Sequence, residues 1–216
     1  MSLLEIVSDA KLREHWQYRR YGVVVGIVSN NQDPDGLGRV KVKFPWLADD
    51  QESNWARIAA PMAGKDRGIS LLPQVDDEVL MAFENGDPFS GYVLGVLWNG
   101  KDTPPAERSN DKNNDLMVIK SRSGHLIVLN DKSGSEKIEI TDKTGKNKIT
   151  VDSGSNKFTV QVDGDIELKA AQGKIVLDAK SIEIKSSAEV KITAGSTLDL
   201  NASGTLTVKG ATVNLN

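Results

Sequence analysis

Along the last fifty residues, pairs of apolar side chains with one residue between them keep returning: Ile166/Leu168, Ile175/Leu177, Ile182/Ile184, Val190/Ile192, Leu198/Leu200, Leu206/Val208 and Val213/Leu215. The second members are spaced by 9, 7, 8, 8, 8 and 7 residues, a repeat of about eight. Within each unit the apolar positions have period two, the signature of a short strand with one face inward. Small polar residues such as Ser186-Ser187-Ala188 and Ala202-Ser203-Gly204 separate the units. The pattern predicts a β-repeat over 166–216.

Upstream the same reading gives a different object. Val23 to Val28 is a buried strand whose Gly26 marks a candidate bulge, and Asn30 to Gly36 is turn chemistry. Val40, Val42 and Phe44 then alternate cleanly, completing a hairpin. Trp55 to Ala59, Asp77 to Phe83 and Tyr92 to Trp98 supply three more strands, with a loop at Gly64 to Gly68. Five strands without a helical period predict a small closed barrel of the OB kind over 21–100. Residues 1–20 predict an arm or short helix, 101–116 a linker stiffened by Pro104-Pro105, and 117–165 transition strands separated by Gly turns.

A single octad buries two aliphatic side chains, worth about 1.5–3 kcal/mol each. Ordering its backbone costs about 1–2 kcal/mol per residue, so no octad stands alone. A flat sheet of octads leaves open edges. A one-chain β-helix, needing about three strands per coil, gets only about two coils from seven pairs. Three chains wound together, each forming one face of a triangular prism, bury the apolar members of all fourteen positions named above at a common axis and close the ladder. The fold class predicted is therefore all-β: a five-stranded OB-like barrel followed by an intertwined trimeric triangular β-helix.

Composition narrows the function classes. The net charge of -3 gives no global reason for nucleic-acid or anionic-membrane binding. The absence of cysteine excludes disulfides, thiolate metal sites and cysteine nucleophiles. Acidic Glu5 and Asp9 stand where a signal peptide has basic residues, so synthesis in the cytoplasm without a signal peptide is expected. Ten of the eleven Phe, Trp and Tyr residues precede residue 100, and only Phe158 follows. The first half thus has a conventional core, and the second a narrow one.

Candidate chemistry is sparse. The two histidines, His15 and His125, lie in different regions, and only a threefold axis would gather copies of His125 around a metal. Asp33-Pro34-Asp35-Gly36 lacks the later ligands of a calcium loop and reads as a turn, as does Asp163-Gly164-Asp165. Glu78, Glu84 and Asp87 lack any accompanying triad or phosphate loop, and neither catalysis nor a cofactor is expected. Trp46 and Trp55 are candidate stacking platforms for an oligonucleotide, or equally core or subunit contacts.

Several ordered stretches resemble a known family. These are Gly38 to Trp46, Ser53 to Ala59 with Pro61 and Gly64, Pro73 to Leu80, Phe83 to Pro88, and Lys120 to Asp131. They are similar to the central spike proteins of contractile injection systems, which include phage baseplate assembly protein V and the type VI valine-glycine repeat protein G. The resemblance implies a homotrimeric structural spike, assembled into a phage tail or injection particle, that links a baseplate hub to a tip protein and pierces the target envelope. By the same resemblance, the missing hub domain implies a separate hub protein, with Leu3, Leu4, Ile6 and Val7 docking on it. The histidine-free end implies a PAAR-type tip protein bound at Val213, Asn214, Leu215 and Asn216. No lysozyme-like insertion is present, nucleic acid is not an expected partner, and contact with the target membrane is transient. Two rival readings are a tail-associated glycan-binding adhesin or polysaccharide-acting β-helical enzyme, and an OB-fold nucleic-acid-binding protein.

Overall fold

The computed structural model describes residues 19–45, 52–109 and 111–214. The chain divides into two units, Met1–Gly164 and Asp165–Asn216. Among the described residues, the first holds all of the sheet structure.

Its N-terminal half is an all-β barrel built from β1 (Val23–Asn30), β2 (Lys41–Lys43), β3 (Arg57–Ile58), β6 (Glu78–Phe83) and β7 (Gly91–Val96), with a small hairpin of β4 (Ala63–Gly64) and β5 (Arg67–Gly68) beside it. The sheet order is β2-β1-β6-β7-β3. Its two ends meet, because Val40 and Ala56 exchange backbone hydrogen bonds of 3.0 and 2.8 Å and so close the sheet. Alternation along β1 and β6 turns Val28, Val79, Met81 and Phe83 inward, where they are buried with Val40, Val42, Phe44, Ala56 and Val93. Phe44 and Phe83 meet with ring centroids 6.0 Å apart.

Gly26 is not at a bulge. It pairs in register with Val79, and the irregularity in β1 falls between Val28 and Asn30. A Cβ at Gly26 would lie 2.3 Å from Val42 Cγ1 and 3.1 Å from the Lys43 carbonyl oxygen. The bare backbone is what lets β2 fold tightly across β1.

The β1–β2 connection is a charged clasp. The Asp33 carboxylate accepts hydrogen bonds from the Leu37 and Arg39 amides and from Arg39 Nε and Nη2, the last two at 2.8 and 2.7 Å. The Arg39 guanidinium holds this carboxyl far below the usual carboxylate range, against the opposing pull of its removal from water. A folded-state pKa below the unfolded one stabilises fully above about pH 4 and is lost as the pH falls through the folded value. Asp33→Asn is therefore expected to lower the melting temperature at pH 7 and to flatten its fall between about pH 4 and pH 2. Circular dichroism melts across that range check it, and parallel curves for the two proteins contradict it.

The chain enters the barrel at a fixed point: the Arg20 amide donates to the Gly86 carbonyl at 2.7 Å, beside the 3-10 turn Glu84–Gly86. Gly86 has φ +76°, and Arg19 and Tyr21 pack where its side chain would stand. Leu3, Leu4, Ile6 and Val7, the expected hub contacts, lie outside the described residues, as does Trp46.

Past the barrel, the stretch read as linker carries a one-turn helix, α1 (Ala106–Ser109), pinned to the next strand by Glu107–Lys120 at 2.8 Å. The transition region is a complete antiparallel meander of β8 (Leu116–Lys120), β9 (Leu126–Asn130), β10 (Lys137–Thr141), β11 (Lys148–Asp152) and β12 (Lys157–Gln161), paired in chain order. Asp142 organises its β10–β11 turn. Loss of water would raise its pKa, but hydrogen bonds from Thr144 and Asn147 outweigh that and hold it at about 2. Arg122, in the β8–β9 turn, donates to Gln74 Oε1 of the barrel at 3.0 Å.

The second unit contains no intrachain strand pairing among its described residues. Bends recur along it at Ala171-Gln172-Gly173, Lys180, Ser187-Ala188, Gly195-Ser196, Ser203-Gly204 and Ala211. The octad seen in the sequence is thus also a repeat of the backbone.

Candidate functional site

The meander has an inverted surface. Its registers place Met117, Leu129, Ile138, Val151 and Phe158 in one cross-strand row, and Ile119, Ile127, Ile140, Ile149 and Val160 in another. Both rows lie on the same face, two residues apart along every strand. Eight of these ten side chains are 41–65% exposed. The opposite face is half-buried at Val118 and Val128 on β8 and β9, and at polar Lys137, Glu139, Thr150 and Asp152 on β10 and β11. On those later strands the apolar side is left to water while the polar side is sheltered. The sheet also curls around this apolar face, because Ile119 of β8 and Val160 of β12, from its two edges, line one hollow of about 460 Å³.

The second unit, by itself, also leaves its apolar side chains exposed. Of the fourteen expected axial residues, Ile166, Leu168, Ile175, Leu177, Ile182, Ile184, Val190, Ile192, Leu198, Leu200, Leu206, Val208 and Val213 are 49–71% exposed, and Leu215 lies outside the described residues. No segment among the described residues covers them. Two positions past each second apolar residue stands a small one, namely Ala170, Ala179, Ser186, Ala194, Ala202 and Gly210. The period-two signal that marks the pairs contains this third position of the same parity, which pairs alone do not show. It likewise contains the ten meander residues. Charged partners line the intervening positions, with Glu167–Lys169 and Glu183–Lys185 each at 2.7 Å.

The residues considered for chemistry are engaged in holding the fold. Glu78 accepts from Asn99, Glu84 from the Tyr92 hydroxyl at 2.8 Å, and Asp87 from the Phe89 amide and the Ser90 hydroxyl. His125 Nδ1 accepts the Lys143 amide at 3.3 Å at the edge of the hollow. Two cations stand over the Trp55 ring, Arg39 at 6.0 Å and Lys41 at 5.6 Å. That indole therefore serves the barrel's own surface first. Asp163 pairs with Lys146 at 2.6 Å. Val213 and Asn214, two of the expected tip contacts, are exposed, and Asn216 lies outside the described residues. Among the described residues no helix is long and apolar enough to cross a membrane.

Comparison with known proteins bears on the barrel first. Residues 24–98 match the family described as the type VI secretion system/phage-baseplate injector OB domain. By its barrel the chain is similar to the baseplate and type VI spike family. It is 32% identical over 111 residues to the type VI secretion system spike protein VgrG3 of Vibrio cholerae, covering 48% of this chain and 11% of that protein. It is 32% identical over 128 residues to the spike protein VgrG1a of Pseudomonas aeruginosa, covering 55% and 20%, and 34% identical over 124 residues to VgrG5 of the same organism, covering 54% and 16%. The chain thus spans between about a tenth and a fifth of the length of these relatives. The five barrel strands and their closure at Val40–Ala56 are the matched part, and the whole of the octad repeat falls outside the OB match.

Proposed function

We propose that the chain is a homotrimeric central spike of a contractile injection system, whose work is mechanical. The observation that carries this is the recurrence of exposed apolar side chains in both units, on the meander face and along an octad part that has no intrachain strand partner among the described residues. Apolar surface of this extent within one unit marks a protein–protein contact. The repeat does not coil on itself, which favours closure between chains, and three faces are the fewest that enclose an axis. In the trimer, the Ile, Leu and Val pairs meet inward, the small third residues approach the corners, and Glu, Lys, Thr and Asn face water. The barrels sit on a baseplate hub, the prism carries the force of contraction along its axis, and a separate tip protein covers the end near Val213 and Asn214. The prism bears on the target envelope, and no bond-making step is involved.

The cysteine-free sequence offers a direct test. Ile192→Cys places three thiols at the axis, whereas Lys191→Cys places them outside. Oxidation is expected to give covalent dimers in most Ile192→Cys trimers and almost none with Lys191→Cys. Equal cross-linking at both positions contradicts the inward assignment.

A further inference from the structure

Charge is distributed unevenly along the repeat. Residues 165–191 carry five acids and five bases, while residues 192–214 carry only Asp199 and Lys209. In the latter stretch the positions between and beside the apolar pairs are held mostly by Thr, Ser and Asn, among them Thr193, Asn201, Thr205 and Thr207. The side chains of the charged stretch pair along their own strand, as in Glu167–Lys169 and Glu183–Lys185, and all of these groups stand in water.

We infer that residues 192–214 form the stretch of the spike that enters lipid hydrocarbon, and that residues 165–191 form a stretch that stays outside it. This rests on the spike reading and adds a division of labour to it. Ionised side chains are costly inside a bilayer, and hydroxyl and amide groups much less so. A cap protein on the end of a prism needs a neutral surface only on the last strands. Here charge is sparse around the outward positions of three successive octads, with only Asp199 and Lys209 ionised in each chain, a lateral surface such as a surrounding apolar medium would contact. With strands about 4.8 Å apart and one strand advanced per octad, the neutral stretch is about 14 Å deep, roughly half of the hydrocarbon core. Since each stretch has no net charge, entry depends neither on anionic lipid nor on salt.

The test uses the full chain, tethered through its N-terminus to a force-microscope cantilever and pressed on a supported bilayer of phosphatidylcholine alone. Thr193→Lys, Asn201→Lys and Thr207→Lys together place nine added charges on the neutral stretch of the trimer. The matched variant combines Gln172→Lys, Val176→Lys and Ser181→Lys. At fixed load, the first variant is expected to break through at least tenfold less often than the unmodified chain, and the second to equal it. A neutral triple, Thr193→Gln, Asn201→Gln and Thr207→Gln, is expected to behave as the unmodified chain. Equal breakthrough by both lysine variants overturns the inference and leaves burial under a cap protein as the purpose of the neutral stretch. Light scattering on each protein beforehand separates this from the spike reading, which fails if the unmodified chain is a monomer. Should the lysine triple not assemble, Asn201→Lys alone is measured, and breakthrough equal to the unmodified chain again overturns the inference.

Discussion

Ile184→Asp is expected to abolish assembly. In the prism the substitution brings three carboxylates to a shared axis, at a position 68% exposed in the single chain and enclosed only by other copies. Removing an ion from water costs several kcal/mol even after relaxation, and here each carboxylate faces two like charges in place of a counterion. Added to this is the loss of about 1.5–3 kcal/mol for each isoleucine side chain no longer buried. Both effects act in the same direction three times over. Size-exclusion chromatography with light scattering is expected to show a monomer at pH 7, whereas Lys185→Asp, one residue away on the wet face, should retain the parent mass. An Ile184→Asp protein of parent mass and heat resistance contradicts the axial placement of this residue.

The second large effect is expected at the meander. Ile149→Lys lies in the row with Ile119, Ile127, Ile140 and Val160, whereas Thr150→Lys lies one residue further along β11 and on the other face. A single chain tolerates both, since Ile149 is already 41% exposed. In an assembly that covers the apolar rows, Ile149→Lys buries three ammonium groups and should lower the melting temperature by more than 10 °C or dissociate the complex. Thr150→Lys should shift it by no more than a few degrees. Calorimetry with a parallel mass measurement distinguishes them, and equal effects of the two would count against the apolar face as the contact surface.

The barrel was legible in the sequence because each of its strands states its own burial. Val40-x-Val42-x-Phe44 alternates, and the turn at Asn30 to Gly36 is marked by Asn, Asp, Pro and Gly. Its closure was less legible: the Val40–Ala56 bridge and the contact of Gly26 with Val42 depend on three-dimensional approach, and a glycine inside a strand reads equally as a bulge. Helix α1 escaped notice because four residues carry no periodicity, and it is fixed by Glu107–Lys120 rather than by propensity. The β4–β5 hairpin, with two residues on each strand, is likewise too short to carry a period and has the sequence of a loop. The apolar positions of the octads were plain from their spacing, but spacing does not say what covers them. The meander face was the larger omission. Its hydrophobic positions were identified as strands, yet only cross-strand register shows that ten of them share one face turned to water.

The function of the chain depends on whether its exposed apolar rows are covered by one chain or by several. The most direct measurement is the mass of the purified, unmodified 23.4 kDa chain by multi-angle light scattering at micromolar concentration. A single species at three times the chain mass, unchanged on tenfold dilution and in 1 M salt, is the expected result. A monodisperse species at the mass of one chain contradicts the account.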